Sequence, residues 1–471
     1  MKKISIIPVF FLLFLVTITG CKKYLDINKN PNAADQPPIA GLLANTTNLT
    51  AYNVYNLSDY TSYYVQYLAS PSVSSTSDTY QQADPSGTWG GFYNVLTDLH
   101  DMRNLAYEKG LNAYAGVADI LTALNLNMAS NVWGNIPYSE AFIGVSNLTP
   151  KFDDQKALYD TCLALLDRGI SIMQDTTLKG QLDAPSDFIH AGVNSNWVKT
   201  AYAIKARMLN QVSKLSQYSA DAVLSAVAKA YTSNDDDAQV TQFLVRNPWA
   251  QAAINNKNLV LDAWLSSYFV NAANGVIYGV FDPRLPQITD TTLYHDYRGT
   301  PNGAGYQGTR NTDHAQSYLD VGKWYSSTNS PLQIITNAEC LFIKAEAAFR
   351  KNDLSTAYTA YIAGITASMN KLAVPADSIA KYLGNPAVSV GASNLTLKLI
   401  MKEKYIACFL MPVTWDDMRR FDYSYKDFSL PVNATLPTFI RRMDYPSSEI
   451  SRNGSNVPDV SRTDHLWWDM P

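Results

Sequence analysis

The sequence predicts a mostly α-helical protein in which stacked helix pairs carry an irregular, loop-rich lobe with a few short strands. Three observations predict it. Apolar side chains recur at intervals of three and four residues through most of the chain before about residue 231, the period of a helix with one buried face. The same period returns at Thr336 and runs to about residue 421. Between them, over about 232–335, it gives way to Gly and Asn pairs, prolines and short apolar pieces, which read as loops.

The chain opens with Lys2 and Lys3, followed by an uncharged apolar run from Ile4 to Ile18. That run falls short of the roughly 20 residues a spanning helix needs. A basic start with a run of this length reads as a secretory leader over residues 1–20. The leader ends at Ile18-Thr19-Gly20-Cys21, which looks like a bacterial lipobox and makes Cys21 the expected lipidation site. Acyl chains, at ~0.8 kcal/mol per buried methylene, hold a protein at a membrane surface without spanning it. Residues 21–37 are polar, with breaks at Asn30-Pro31 and Pro37-Pro38. They read as a flexible tether reaching about 50–60 Å at ~3.3–3.6 Å per residue. A single domain is expected over 38–471, with its helical scaffold at about 38–231 and 336–421 and the loop-rich lobe at about 232–335.

Within the scaffold, Tyr60, Tyr63, Tyr64 and Tyr67 fall at helical spacing and are expected in the core. Helices follow at Phe92–Tyr107, Ala113–Val132 and Gln155–Met173. A longer one aligns Trp197, Ala201, Ile204, Met208 and Val212 on one face. After the lobe, "NAECLFIKAEAAFRKNDLSTAYTAYIAGI" reads as two helices joined at Asn352-Asp353. Small residues at the crossing and a large aromatic one turn later resemble a tetratricopeptide pair. One such pair cannot bury its own face, so several must stack. A last helix is expected over Leu395–Leu410.

Composition narrows the function. Removing Lys2 and Lys3 with the leader takes the formal charge from −4 to −6, which leaves no basic stripe for nucleic acid. Charged residues are 17% of the chain, against roughly 25% in average domains, while tyrosine reaches 30 residues and tryptophan 9. A surface rich in Tyr, Asn, Ser and Thr suits neutral polar ligands such as sugars, whose C–H faces stack on aromatic rings.

Motifs for chemistry are sparse. His100, His190, His295, His314 and His465 lack metal-ligand spacing. Cys162, Cys340 and Cys408 sit in apolar helical contexts and read as buried free thiols. Gly303-Ala304-Gly305-Tyr306-Gln307-Gly308 fits G-x-G-x-x-G. A dinucleotide site needs a strand before that motif and a helix after it, whereas here both flanks read as loop. Asn234-Asp235-Asp236-Asp237 offers oxygens but lacks the glycine and glutamate of a calcium hand, and it reads as a helix-end loop. No cofactor is expected.

Several blocks together resemble the SusD/RagB family of outer-membrane lipoproteins of Bacteroidetes, across nearly the whole chain from Cys21. They are "YLDINKNPN" (Tyr24–Asn32), "WGNIPYSEAF" (Trp133–Phe142), "FDDQKALYD" (Phe152–Asp160) and "AECLFIKAEAAF" (Ala338–Phe349). "IMKEKYIACFL" (Ile400–Leu410), "TWDDMRRFDY" (Thr414–Tyr423), "RRMDYPSSEISRN" (Arg441–Asn453) and the terminal Trp467-Trp468-Asp469 complete the set. On the residues alone, Ile136-Pro137-Tyr138 is a chain corner, and Glu403 is expected to pair with Arg419 or Arg420. The resemblance implies a SusD-like α-α superhelix of four stacked tetratricopeptide-like pairs. It also implies a surface lipoprotein that binds glycan, or in some members peptide, and lids a SusC-like TonB-dependent transporter. At Lys22 and Lys23 the chain departs from the family, which often carries acidic residues after the lipidated cysteine.

The expected function is therefore non-catalytic binding of glycan nutrients at the outer surface of the outer membrane. The alternatives are a peptide- or glycopeptide-binding member, or a surface glycoside hydrolase using two carboxylates about 5–10 Å apart. Loops at 72–89 and 290–326 are the expected site. Its candidate contacts are Tyr80, Trp89, Tyr294, Tyr297, Arg298, Tyr306, Trp324 and Tyr325. If Cys21 carries the anchor, Cys21→Ala moves the protein from the membrane pellet to the supernatant in cell fractionation.

Overall fold

The computed structural model describes residues 37–257, 264–308 and 314–470. The leader, Cys21 and the tether up to residue 36 lie outside the described residues. Six helices open the fold: α1 (Ile39–Tyr64), α2 (Ser86–Lys109), α3 (Asn112–Trp133), α4 (Gln155–Gln174), α5 (Asn194–Gln211) and α6 (Ala220–Val227). Each packs on the next. The ends carry local signals. Gly110 takes the left-handed conformation (φ 66°) and closes α2, and the Asp154 carboxylate caps α4 by accepting from the backbone N–H groups of Lys156 and Ala157.

α3 is the centre of the stack. Every residue from Ala113 to Trp133 is buried, which is what a helix apolar around most of its circumference requires. Its polar side chains are paired inside. Asn53 donates to Asn125 (3.1 Å), Gln211 donates to Asn131 (2.7 Å), and Arg168 grips Asp119 with two bonds of 2.5 and 2.6 Å.

The lobe that follows holds α7 (Pro248–Lys257) and α8 (Ser267–Ala273) among long irregular stretches. Its strands are short and antiparallel. β1 (Leu68–Ala69) pairs with β3 (Trp264–Leu265) in the register Leu68 to Leu265. β2 (Ala238–Val240) pairs with β4 (Leu332–Ile335), with an irregularity at Ala238/Gln239. The helices then resume as α9 (Asn337–Arg350), α10 (Leu354–Lys371), α11 (Ala376–Leu383), α12 (Leu397–Ala407), α13 (Val413–Arg420) and α14 (Ser447–Asn453).

The two helical stretches are one continuous stack. α6 packs on α9 through Val223, Ala226 and Val227 against Ile343 and Ala347. The α9–α10 hairpin has the predicted small-against-large crossing, since a Cβ on Gly364 would lie 2.9 Å from the Phe342 ring. Its turn falls at Asn352 (φ 65°), with the Asp353 side chain capping α10. The tyrosine stripe runs past its helix. Gln66 (φ 54°) ends the helical path, and Tyr67 enters the core as a loop residue that shares a hydrogen bond with Thr414 (2.9 Å). Among the described residues no helix is long and apolar enough to cross a membrane. Cys162, Cys340 and Cys408 are free and buried.

The expected pairing of Glu403 with Arg419 or Arg420 is corrected. Arg419 instead bonds Asp416 (2.5 Å) and lies over the Trp415 ring (3.7 Å). Arg420 bonds Glu346 (2.5 Å to Oε2) and Asp417 (2.7 Å). Lys404 completes that cluster on Asp417 (2.8 Å), Arg350 on Glu346 (2.9 Å), and Asn210 donates to Glu346 (2.9 Å). One buried knot thus ties α5, α9, α12 and α13. Sequence neighbours Glu403 and Lys404 face different clusters, because adjacent residues on a helix point about 100° apart.

Burial alone would raise the Glu346 carboxyl, but the Arg420 and Arg350 charges and the Arg420 hydrogen bonds hold it well below the usual carboxylate range. A depressed acid contributes stability above its ordinary pKa near ~4.3 and loses it as pH falls further. Arg420→Ala removes the cation shared by two buried carboxylates, leaving Glu346 to Arg350 and Asn210 and Asp417 to Lys404, and should cost about 3 kcal/mol. Urea titration near neutral pH should show that loss, and the gap to wild type should narrow in acid.

Candidate functional site

The two loops expected at the site meet in space. The buried Asp78 carboxylate accepts from the Ser70 N–H (2.9 Å), the Gly303 N–H (3.0 Å) and the Asn302 amide (2.8 Å). Backbone bonds from Ser74 to Gly303 (2.9 Å) and from Tyr306 to Pro71 (2.8 Å) continue the seam. This accounts for the G-x-G-x-x-G run. Gly303 (φ 82°) and Gly305 (φ 72°) pass so close to Val432 and to Pro71–Val73 that a Cβ would strike backbone. The glycines serve a chain-to-chain junction, and the described residues that adjoin them, up to Gly308, form no helix.

The eight candidate side chains divide. Tyr80 (1% exposed) sits edge-on to Tyr64 in the core. Trp89 (6%) packs among Tyr93, Trp133, Phe152 and Tyr445, and Tyr325 (4%) packs on Phe409. Those three are interior residues with no ring face toward solvent. Tyr306 is half-buried, edge-on to Trp264. The others are Tyr294, Tyr297, Arg298 and Trp324. Arg298 lies over the exposed Tyr294 ring (4.4 Å) and bonds Asp296 (2.6 Å). Tyr297 meets Phe281 at 5.8 Å, and the Trp324 N–H donates to the Gln287 carbonyl (3.0 Å).

Phe281 and Gln287 border a cleft of about 470 Å³ between the 279–287 segment and α11. Its walls are Val280, Phe281, Pro283, Pro286 and Gln287 on one side and Pro375, Ser378, Lys381, Tyr382 and Asn385 on the other. The volume falls within the ~300–1,000 Å³ of small-molecule sites. Two other voids, of about 20 and 10 Å³, have room for little more than a water. Phe281 is 45% exposed, an aromatic face held at the mouth of the cleft.

A buried charge cluster sets the cleft's width. Arg284 bonds Asp282 (2.6 and 2.9 Å) and also Glu403, so it fixes the segment around Pro283. From the other wall the Tyr382 hydroxyl donates to Glu403 (2.7 Å), and Lys402 bonds both (2.7 and 2.6 Å). Both walls therefore end on one carboxylate of α12.

The cleft can stack an apolar ring face on Phe281 and bond hydroxyls with Gln287, Ser378 and Asn385. No carboxylate lines it among the described residues, so it lacks the acid pair that glycosidic hydrolysis uses. Sequence reasoning missed Phe281, Gln287, Ser378, Lys381 and Asn385. Their one local signal is the proline spacing of Pro283, Pro286 and Pro375, which marks rigid turns but not that the turns face each other.

The sequence matches a SusD-like family, described as starch-binding and associating with the outer membrane, over residues 31–446. The chain belongs to this SusD-like family. A chitin-binding SusD homologue from Flavobacterium johnsoniae has a TM-score of 0.77 at 22% identity, covering 92% of this chain and 98% of its own. A SusD/RagB family protein from Bacteroides thetaiotaomicron scores 0.71 at 22% identity, with 92% and 99% covered. A SusD homologue from Bacteroides fragilis scores 0.75 at 20% identity, with 92% and 99% covered. At these identities the likeness is one of fold, and the SusD-like helical architecture is common to all. No curated protein matches the sequence.

Asp78 gives the loop junction a pH signature. Burial raises its carboxyl to about 6, against hydrogen bonds from Gly303, Ser70 and Asn302 that lower it. A raised acid favours the fold at low pH and costs stability as pH climbs from its ordinary ~3.9 to the folded value. Wild type should lose up to about 3 kcal/mol between pH 4 and 7 relative to the non-titrating Asp78→Asn, measured by urea unfolding across that range.

Proposed function

We propose that this SusD-like protein is a non-catalytic glycan-binding lipoprotein of the outer membrane. It captures oligosaccharide in the cleft between the 279–287 segment and α11. It passes the sugar to a SusC-like TonB-dependent transporter, for which it acts as the lid, tethered through Cys21 and facing the cell exterior. The observation that carries this reading is a cleft with an exposed aromatic wall, amides and a hydroxyl. The family's starch-binding description and the chitin-binding homologue of the same fold point the same way.

Contacts assigned to the sugar are Phe281 at the mouth, Tyr294, Tyr297 and Arg298 on the adjoining shelf, and the Trp324 ring, which its backbone N–H places beside Gln287. An aromatic stacking contact contributes on the order of 0.5–1.5 kcal/mol beyond its buried area. Isothermal titration of a panel of neutral and acidic oligosaccharides should find a binder. Phe281→Ala should weaken that binder about tenfold with the melting temperature unchanged, and Trp324→Ala should weaken it less. Unaltered affinity in both variants would move the site elsewhere, and binding of peptides in place of sugars would replace the ligand class.

A further inference from the structure

The cleft's charge is one-sided. Lys381 is the one charged side chain in its wall, exposed, and in no ion pair among the described residues. Asp377, one turn before Lys381 on α11, makes no ion pair with it among the described residues and does not line the cleft, and the other nearby acids are occupied. Asp282 is buried against Arg284, and Asp290 is held by Lys323 at 2.5 Å. Two further lysines stand behind the same segment. Lys323 donates to the carbonyl of Pro286 (3.1 Å), itself a wall residue, and Lys426 donates to the carbonyl of Ile277 (2.6 Å). A neutral sugar meets an ammonium only through hydroxyl oxygens, whereas an anionic group on a sugar ring meets it with a stronger bond between opposite charges.

We infer that the cleft selects acidic oligosaccharides, with the Lys381 ammonium on a sugar carboxylate or sulfate while Phe281 stacks on the ring. This rests on the proposal that the cleft binds glycan, and it adds the charge class of the ligand. Gln287, Ser378 and Asn385 bond the remaining hydroxyls, so position and charge are read by different side chains. The net charge of −6 without the leader lysines would repel such a ligand elsewhere on the surface, which makes a local cation the means of holding it.

The test is isothermal titration of the soluble chain from residue 37 onward with four probes. They are an oligogalacturonate, a chondroitin sulfate oligosaccharide, a maltooligosaccharide and a chitooligosaccharide, each at low and physiological salt. One acidic probe should bind about tenfold or more tighter than both neutral ones, and the advantage should shrink with salt. Whether the uronate or the sulfated probe wins tells carboxylate from sulfate. Lys381→Gln should abolish the preference and Lys381→Arg should keep it. Lys381 is exposed on α11, so both variants should fold, which circular dichroism checks. Equal or tighter binding of a neutral probe, or a preference that survives Lys381→Gln, overturns the inference and leaves glycan binding standing. Failure of all four probes to bind removes both.

Discussion

Glu403 is the constraint on which the cleft depends. It is a carboxylate with 1% side-chain exposure, and it is bonded by Arg284 from the lobe, Tyr382 from α11 and Lys402 beside it. Taking such a group out of water costs several kcal/mol unless its partners are in place. The partners come from both walls of the cleft, so neither wall can drift without leaving a buried charge short of a bond. A ligand entering a cleft braced in this way would pay little for ordering the walls.

The same helix performs a second task one residue on. Lys404 faces the opposite cluster, where Arg420, Glu346 and Asp417 lock the helical stack. α12 therefore carries the joint between scaffold and lobe, with charges on both sides. Few charged residues in the chain, and several of them buried in these two knots, leave a surface weak in charge. The composition that suggested neutral ligands is in part a consequence of where the charges are buried.

Much of the scaffold was legible because its signals are local. Helical periodicity located α2 through α5, α9 and α10 to within a few residues except at the start of α2, and the Gly364–Phe342 crossing is a short-range pattern. The site was less legible because it is assembled from afar. Phe281 and Lys381 are both parts of one wall system, yet 100 positions separate them, and nothing local says that the turns at Pro283 and Pro375 face one another. The ion pairs went astray for the same reason. Glu403 could be seen to need a cation, but Arg284 lies in a stretch whose lack of periodicity left its course unread. The loops at 72–89 and 290–326 do meet, yet Tyr80, Trp89 and Tyr325 reach inward from them.

Tyrosine abundance itself has a structural account. Buried and half-buried tyrosines here repeatedly place the ring against the core and the hydroxyl on a backbone carbonyl at a helix end or loop. Tyr93 donates to Pro137 (2.7 Å), Tyr361 to Val388 (3.1 Å), Tyr405 to Val65 and Gln66 (3.1 Å each) and Tyr445 to Trp133 (2.9 Å) and Asn135 (2.7 Å). A fold with long irregular connections has many carbonyls without a ladder partner, and each buried one must be satisfied. Tyrosine does this while filling core volume, which neither phenylalanine nor serine can do alone. The count of tyrosines thus reports on how much loop the helical stack must hold. Few aromatics stay outside, and Tyr107, Tyr294 and Phe281 are the most exposed among the described residues.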